Sequence, residues 1–209
     1  ATAMTLNYMS GVWVAAFLVG STIWLGSFKN ATRQIPVALT VLAGFAGVVM
    51  TLRPTFEQNQ MLAGLIGVAS GMIAAMAYLQ VAALGKVGEP VERTVFYFSL
   101  GAAVAGGLCM LLFGVSEWHW PAAVWLLPIG ILAVLGQWCM TQAYTDGATI
   151  VVANLQYAGI VFSALFGLFL FGDQIPLIGW GGMCLIVLSG IAATALRDKS
   201  WVKVPTKDH

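Results

Sequence analysis

Charge is scarce in this 209-residue chain: 8% of its residues are Asp, Glu, Lys or Arg, against roughly 25% in an ordinary soluble domain. A water-soluble globule is excluded on that ground. Nine basic and eight acidic residues leave a net charge of +1, so no basic patch is large enough to track nucleic acid. Cysteine is equally sparse. Cys109, Cys139 and Cys184 each stand alone in an apolar run, without CxxC spacing or a nearby His, which excludes a zinc or dithiol framework and leaves them as expected packing residues. His119, within Trp118-His119-Trp120, and the terminal His209 have no partner at ligand spacing. No His lies in an apolar run, so Ser70 in Val68-Ala69-Ser70-Gly71 lacks a base to make it a nucleophile. The sequence therefore reads as a non-enzyme, with no catalytic residue, no metal site and no cofactor.

What the chain does contain is hydrocarbon, at 60% hydrophobic residues. Polar punctuation divides it into runs of about 20 residues, the length a membrane-crossing helix needs. The expected spans are 3–25, 35–52, 61–84, 94–115, 121–145, 148–171 and 176–196. The fold class expected is all-α, a multi-pass transmembrane helical bundle with seven spans. Pro36, Pro121 and Pro176 fall at helix starts, where a missing N–H costs nothing, and Pro54 and Pro90 in connections. Pro128 falls inside the fifth span and should kink it. Gly67 with Gly71, Ala43 with Gly47 and Gly101 with Ala105 are small-residue pairs spaced for close helix approach.

Lys and Arg are retained on the cytoplasmic side of short loops. Alternate connections carry Lys29 and Arg33, then Lys86 and Arg93, then none, then Arg197, Lys199, Lys203 and Lys207; the other side carries only Arg53. This bias places the C-terminus in the cytoplasm, with the chain in the cell membrane. Trp118 and Trp120 suit an outer aromatic belt and Trp201 an inner one. Glu89, Glu92 and Arg93, at the fourth span's start, read as a solvated helix end.

Sliding the chain by 147 positions superimposes Ala1-Thr2 on Ala148-Thr149, Asn7 on Asn154, Val14 on Val161 and Gly20 on Gly167. The spans that follow open with Ile35-Pro36 and Ile175-Pro176. The first two spans thus match the last two, and five spans separate equivalents. An odd offset sends equivalent helices through the membrane in opposite directions, the inverted-topology repeat of many secondary transporters. A five-helix unit is complete at 61–196, whereas its mate shows two helices. Three N-terminal helices are expected to be missing, with a genuine seven-span protein as the alternative.

Gly44-Phe45-Ala46-Gly47-Val48 running to Leu52-Arg53-Pro54, and Gln142-Ala143-Tyr144, Gly147-Ala148, Asn154-Leu155-Gln156-Tyr157 and Phe171-Gly172-Asp173, resemble the drug/metabolite transporter superfamily, specifically its EamA-type permeases. The resemblance implies a ten-helix fold of five plus five inverted helices, in which the present spans are helices four to ten. It divides the chain into the last two helices of the first half (1–54), a connection (55–60), the second five-helix half (61–197) and a cytoplasmic tail (198–209). Asp173 stands where a Gly-Glu pair is usual, and Leu25-Gly26-Ser27, its first-half counterpart, has no acid. Both departures lie at membrane edges.

Gln137, Thr141 and Tyr144 recur at i, i+4 and i+7, within about 60° of a helix circumference, and form a polar stripe that must face protein or water. Asn154 and Tyr157, one turn apart, carry the same obligation, and Asn7 is the repeat equivalent of Asn154, with Tyr8 beside it. Depth in the third span and the resemblance, which places helices four, six, eight and nine around a central pathway, add Tyr78. These eight residues are the candidate substrate-binding set. They describe a neutral, aromatic-walled cavity for a small polar or amphipathic metabolite or drug, or else groups that only bond helix to helix. No Asp, Glu, Lys or Arg lies mid-span to hold a strongly charged substrate. The expected function is secondary transport by alternating access, and the alternative is a non-transporting receptor or scaffold, which has no need of inverted halves. Expected partners are the lipid bilayer and a small-molecule substrate, with a homodimer left open and nucleic acid excluded.

Overall fold

The computed structural model describes residues 2–26, 28–53, 61–114 and 123–201, and the side chains of 5–26, 34–53, 62–114 and 123–196. Its helices are α1 (Thr2–Trp24), α2 (Phe28–Leu52), α3 (Met61–Lys86), α4 (Val91–Phe113), α5 (Leu126–Asp146), α6 (Thr149–Leu155), α7 (Ala158–Phe166) and α8 (Leu177–Trp201), with a π-helical turn at Gly167–Phe171 after α7. No strand occurs among the described residues. Seven stretches are long and apolar enough to cross a membrane, α6, α7 and the π turn making one of them: Thr5–Trp24, Gln34–Leu52, Leu62–Lys86, Val91–Phe113, Leu126–Asp146, Thr149–Phe171 and Leu177–Leu196. The protein is therefore an all-helical, multi-pass membrane protein.

Two proline expectations need correcting. Helix α2 begins at Phe28, so Pro36 lies inside it, because nothing between Phe28 and Ile35 breaks a helix. Pro128 falls in the first turn of α5, which starts at Leu126. First-turn N–H groups have no intrahelical acceptor, so Pro128 removes no bond and forces no mid-span kink. Pro90 is the N-cap residue of α4. The α3–α4 turn is tight because Gly88, at φ +78, takes a left-handed conformation. Pro54, Pro121, Trp118, Trp120, His119 and His209 lie outside the described residues, as does the side chain of Trp201.

The chain divides into two compact units, Ala1–Leu79 with Ala148–His209, and Gln80–Gly147. In the first unit, two helix pairs run antiparallel. Along α1 and the α6–α7 span, Tyr8 approaches Gly159, Gly11 approaches Tyr157 and Ala153, and Val14 packs on Ala153, so one number rises as the other falls. Along α2 and α8, Thr51 and Gly47 meet Gly182, Gly44 meets Ser189, and Val37 shares a cluster with Ala193 and Leu196. A Cβ on Gly47 would stand 2.6 Å from the Gly182 carbonyl oxygen, and one on Gly182 2.9 Å from the Thr51 nitrogen, so backbone meets backbone at this crossing. Gly67 and Gly71 of α3 likewise lie against Leu6, Met9 and Ser10 of α1. Bilayer lipid is as apolar as Leu, so such close van der Waals approach, with interhelical hydrogen bonds, supplies the packing energy.

In the second unit, α4 and α5 pack on one another, and Gly85 at the end of α3 fits against Thr145. Helices α4 and α5 are almost wholly exposed, whereas more than a third of the α8 span is buried. Gly101 accordingly has open space where its Cβ would be. Cys109 and Cys139 are exposed, as is Cys184 on α8. This corrects the packing role expected of the cysteines: an apolar run does not say which face of its helix turns outward. Arg93 Nη1 donates to Glu89 Oε1 at 2.9 Å on an exposed surface, a helix-end pair worth about 0.3–0.5 kcal/mol.

Candidate functional site

The most connected polar group lies where α2, α6 and α8 meet. Asn154, 1% exposed, donates from Nδ2 to Thr40 Oγ1 at 3.0 Å and to the Ser189 carbonyl oxygen at 3.2 Å. Its Oδ1 accepts from Ser189 Oγ at 3.1 Å, a hydroxyl that also reaches the Ile186 carbonyl at 2.8 Å. Thr40 Oγ1 donates to the Val37 carbonyl at 2.6 Å. Both amide hydrogens are used, and the oxygen retains one lone pair. Such an arrangement ties three helices together in a medium without water. The approach is possible because of Gly44, where a Cβ would stand 2.8 Å from Asn154 Oδ1 and from Ser189 Oγ.

Around Tyr8 a second group gathers, and it is aromatic. The Tyr8 and Tyr157 rings meet edge to face, with centroids 6.2 Å apart and planes at 62°. Trp13 and Phe17 stack, with centroids 5.9 Å apart, and with Tyr78 they pack on Val14, Ala75 and Ala153. Tyr8 and Tyr78 are half-buried, whereas Tyr157 is enclosed completely. Gln156 Nε2 donates to Ser10 Oγ at 3.4 Å, joining α1 to the same span. The indole nitrogen of Trp13 and the Tyr157 hydroxyl are buried without a hydrogen-bond partner among the described residues.

The eight candidate residues distribute as follows. Tyr8, Tyr78, Asn154 and Tyr157 belong to the first unit and lie within or beside these two groups. Asn7, also in the first unit, is on an exposed face of α1 and has no place in the Asn154 network, whose far side is supplied by Thr40 of α2. Gln137, Thr141 and Tyr144 belong to the second unit. Thr141 and Tyr144 are the buried residues of α5, Gln137 is half-buried, and Thr141 Oγ1 donates back to the Gln137 carbonyl at 2.8 Å. Sequence reasoning passed over Ser10, Thr40, Gln156 and Ser189. Single polar residues in apolar helices are common; the pairing of α2 with α8 singles out Thr40 and Ser189, and that of α1 with the α6–α7 span singles out Ser10 and Gln156.

A groove of about 520 Å³ runs between the α6–α7 span and α8, lined by Leu155, Ala158, Ile186, Val187, Gly190, Ile191 and Thr194, with Asn154 and Ala195. It is predominantly aliphatic, and neither Tyr8, Tyr78 nor Tyr157 lines it.

Over 204 residues, 94% of the chain, it is 30% identical to the pseudopaline exporter CntI of Pseudomonas aeruginosa, covering 66% of that protein. The chain is related to membrane transporters. Other transporter relatives are the riboflavin transporter of Vibrio cholerae, 29% identical over 87% of the chain and 59% of that protein, and a Helicobacter pylori protein named as an uncharacterized transporter, 28% identical over 73% of the chain and 53% of that protein. The chain thus spans between about half and two thirds of the length of these transporters. No protein-family model matches it, and no solved structure matches it significantly.

Proposed function

We propose that the chain works in a secondary transporter of the drug/metabolite, EamA-like type, moving a small polar or amphipathic metabolite or drug by alternating access between two inverted halves. The observation that carries this reading is the antiparallel pairing of α1 with the α6–α7 span and of α2 with α8, the same pairs that the sequence repeat equates. Inverted halves with a site near their interface are the recurrent solution for alternating access. The transporter relatives support it independently. In a ten-helix, five-plus-five fold the seven spans correspond to helices four to ten.

The substrate contacts proposed in the first unit are Tyr8 and Tyr78, with Asn154 and Tyr157 shaping the wall beside them; in the second unit, taken by itself, Gln137, Thr141 and Tyr144 are proposed as a polar stripe that faces solute. Half-buried tyrosines suit a flat or amphipathic solute, since each offers an apolar face and a polar tip. Two relatives, named for riboflavin and pseudopaline, set the first members of a substrate panel. For a panel member that is carried, Tyr8→Phe removes one hydroxyl and nothing else. The expected result is weaker apparent affinity by roughly two- to tenfold, one hydrogen bond's worth, at unchanged membrane abundance. Unaltered kinetics in both Tyr8→Phe and Tyr78→Phe would remove the tyrosines from the site.

The proposed location is the cell membrane with the C-terminus in the cytoplasm, on the eight-to-one partition of Lys and Arg. A reporter active only outside the cytoplasm, fused after Lys207, is expected to be silent; a strong signal would reverse the orientation.

A further inference from the structure

The sixth span is not one helix. Helix α6 ends at Leu155 and α7 begins at Ala158. Across the break the N–H groups of Tyr157, Gly159 and Ile160 donate to the carbonyls of Asn154, Gln156 and Tyr157, three residues back instead of four. No proline causes this, and the i→i−3 spacing marks a local tightening of a kind found at hinges. The N-terminal side of the break is anchored through Asn154 to α2 and α8.

Tyr157 sits in the break and points into a slot made by two glycines. A Cβ on Gly11 of α1 would collide with the Tyr157 hydroxyl and stand 2.9 Å from Cζ, and one on Gly44 of α2 would stand 2.8 Å from Cδ2. The ring is 0% exposed, yet its hydroxyl has no hydrogen-bond partner among the described residues. A lone buried hydroxyl in a membrane protein opposes the arrangement that buries it.

We propose that Tyr157 is a conformational latch: its ring in the Gly11–Gly44 slot holds the α6–α7 break in the arrangement seen, and its unpartnered hydroxyl keeps that arrangement close in free energy to one in which the ring withdraws. Packed elements with two discrete arrangements are what switching transitions use. The consequence for turnover rests on the transporter reading, whereas the latch itself is read out without substrate.

The test uses the full chain in nanodiscs, with hydrogen exchange followed by mass spectrometry and thermal unfolding measured in parallel. Tyr157→Phe keeps the ring and removes the orphan. Exchange of the amides at 157–161 is expected to slow about tenfold, the order set by relieving one unpaired buried group, and the unfolding midpoint is expected to rise by a few degrees. A midpoint that falls, or exchange as fast as in the parent, would mean that the hydroxyl is satisfied and would overturn the proposal. Gly11→Ala, which crowds the slot, is expected to do the opposite: faster exchange and a lower midpoint. In a Tyr157→Ala background the slot is empty, and the effect of Gly11→Ala should shrink severalfold. An equal effect in both backgrounds would show that Gly11 does not act through Tyr157. Slot variants that behave as expected in a protein that carries no solute would fail the transporter reading and leave the latch standing.

Discussion

Gly182→Ala should destabilise the protein more than any other single-methyl change in the first unit. Its Cβ would stand 2.6 Å from the Gly47 carbonyl oxygen and 2.9 Å from the Thr51 nitrogen, and neither backbone atom can rotate away as a side chain can. Helices α2 and α8 must separate. Overpacking of this kind costs about 1–3 kcal/mol, and at roughly 2–4 °C per kcal/mol the unfolding midpoint in detergent should fall by several degrees. Gly182→Leu should leave little folded protein. The control is Gly101→Ala on α4, where nothing lies within 4 Å of the new methyl group and no loss is expected. Equal midpoints for Gly182→Ala and Gly101→Ala would show that the α2–α8 crossing is looser than described.

Asn154→Ala carries the second large effect. The substitution removes the amide that holds Thr40 of α2 and Ser189 of α8 at once. Interhelical hydrogen bonds in membranes average about 0.6 kcal/mol with a maximum near 1.7, so losing this group should cost about 1–3 kcal/mol. Thr40 and Ser189 retain own-helix acceptors at Val37 and Ile186, which keeps the loss from growing further. The expected outcome is a lower midpoint with transport falling in proportion to membrane abundance. Full abundance with a large change in apparent affinity would instead make Asn154 a substrate contact, because the amide would then be occupied by solute and not by the two helices.

Hydropathy alone located the seven spans, because a run of about 20 apolar residues has few other fates. The close approaches at Gly67 and Gly71 and at Gly47 were legible for a related reason: small residues at i and i+4 in an apolar helix are efficient only where another helix comes near. On α5 the polar residues Thr141 and Tyr144 are also the buried ones, as a stripe in hydrocarbon requires. Other features left no trace in the pattern. A lipid-facing surface is as apolar as a packed one, so nothing distinguished the exposed cysteines from core residues. The repeat equated Asn7 with Asn154, but Asn7 is exposed and Thr40 answers Asn154 instead. Sequence equivalence fixes position along a helix and leaves open which neighbouring helix the side chain meets. The break at Gln156–Tyr157 carries neither Pro nor Gly, and its signal, two glycines 146 and 113 residues before Tyr157 in α1 and α2, appears only once the helices are packed.

The central claim, that solute crosses the membrane through this protein instead of merely binding to it, is tested most directly by counterflow. The full-length protein is reconstituted in liposomes preloaded with an unlabelled panel member, riboflavin first, and the labelled solute is added outside. A transporter gives saturable entry that is accelerated by solute on the far side and rises transiently above equilibrium. A receptor or scaffold binds the label saturably, while entry stays at the rate of protein-free liposomes whatever is loaded inside, and that result for a solute the protein binds would contradict the proposed function.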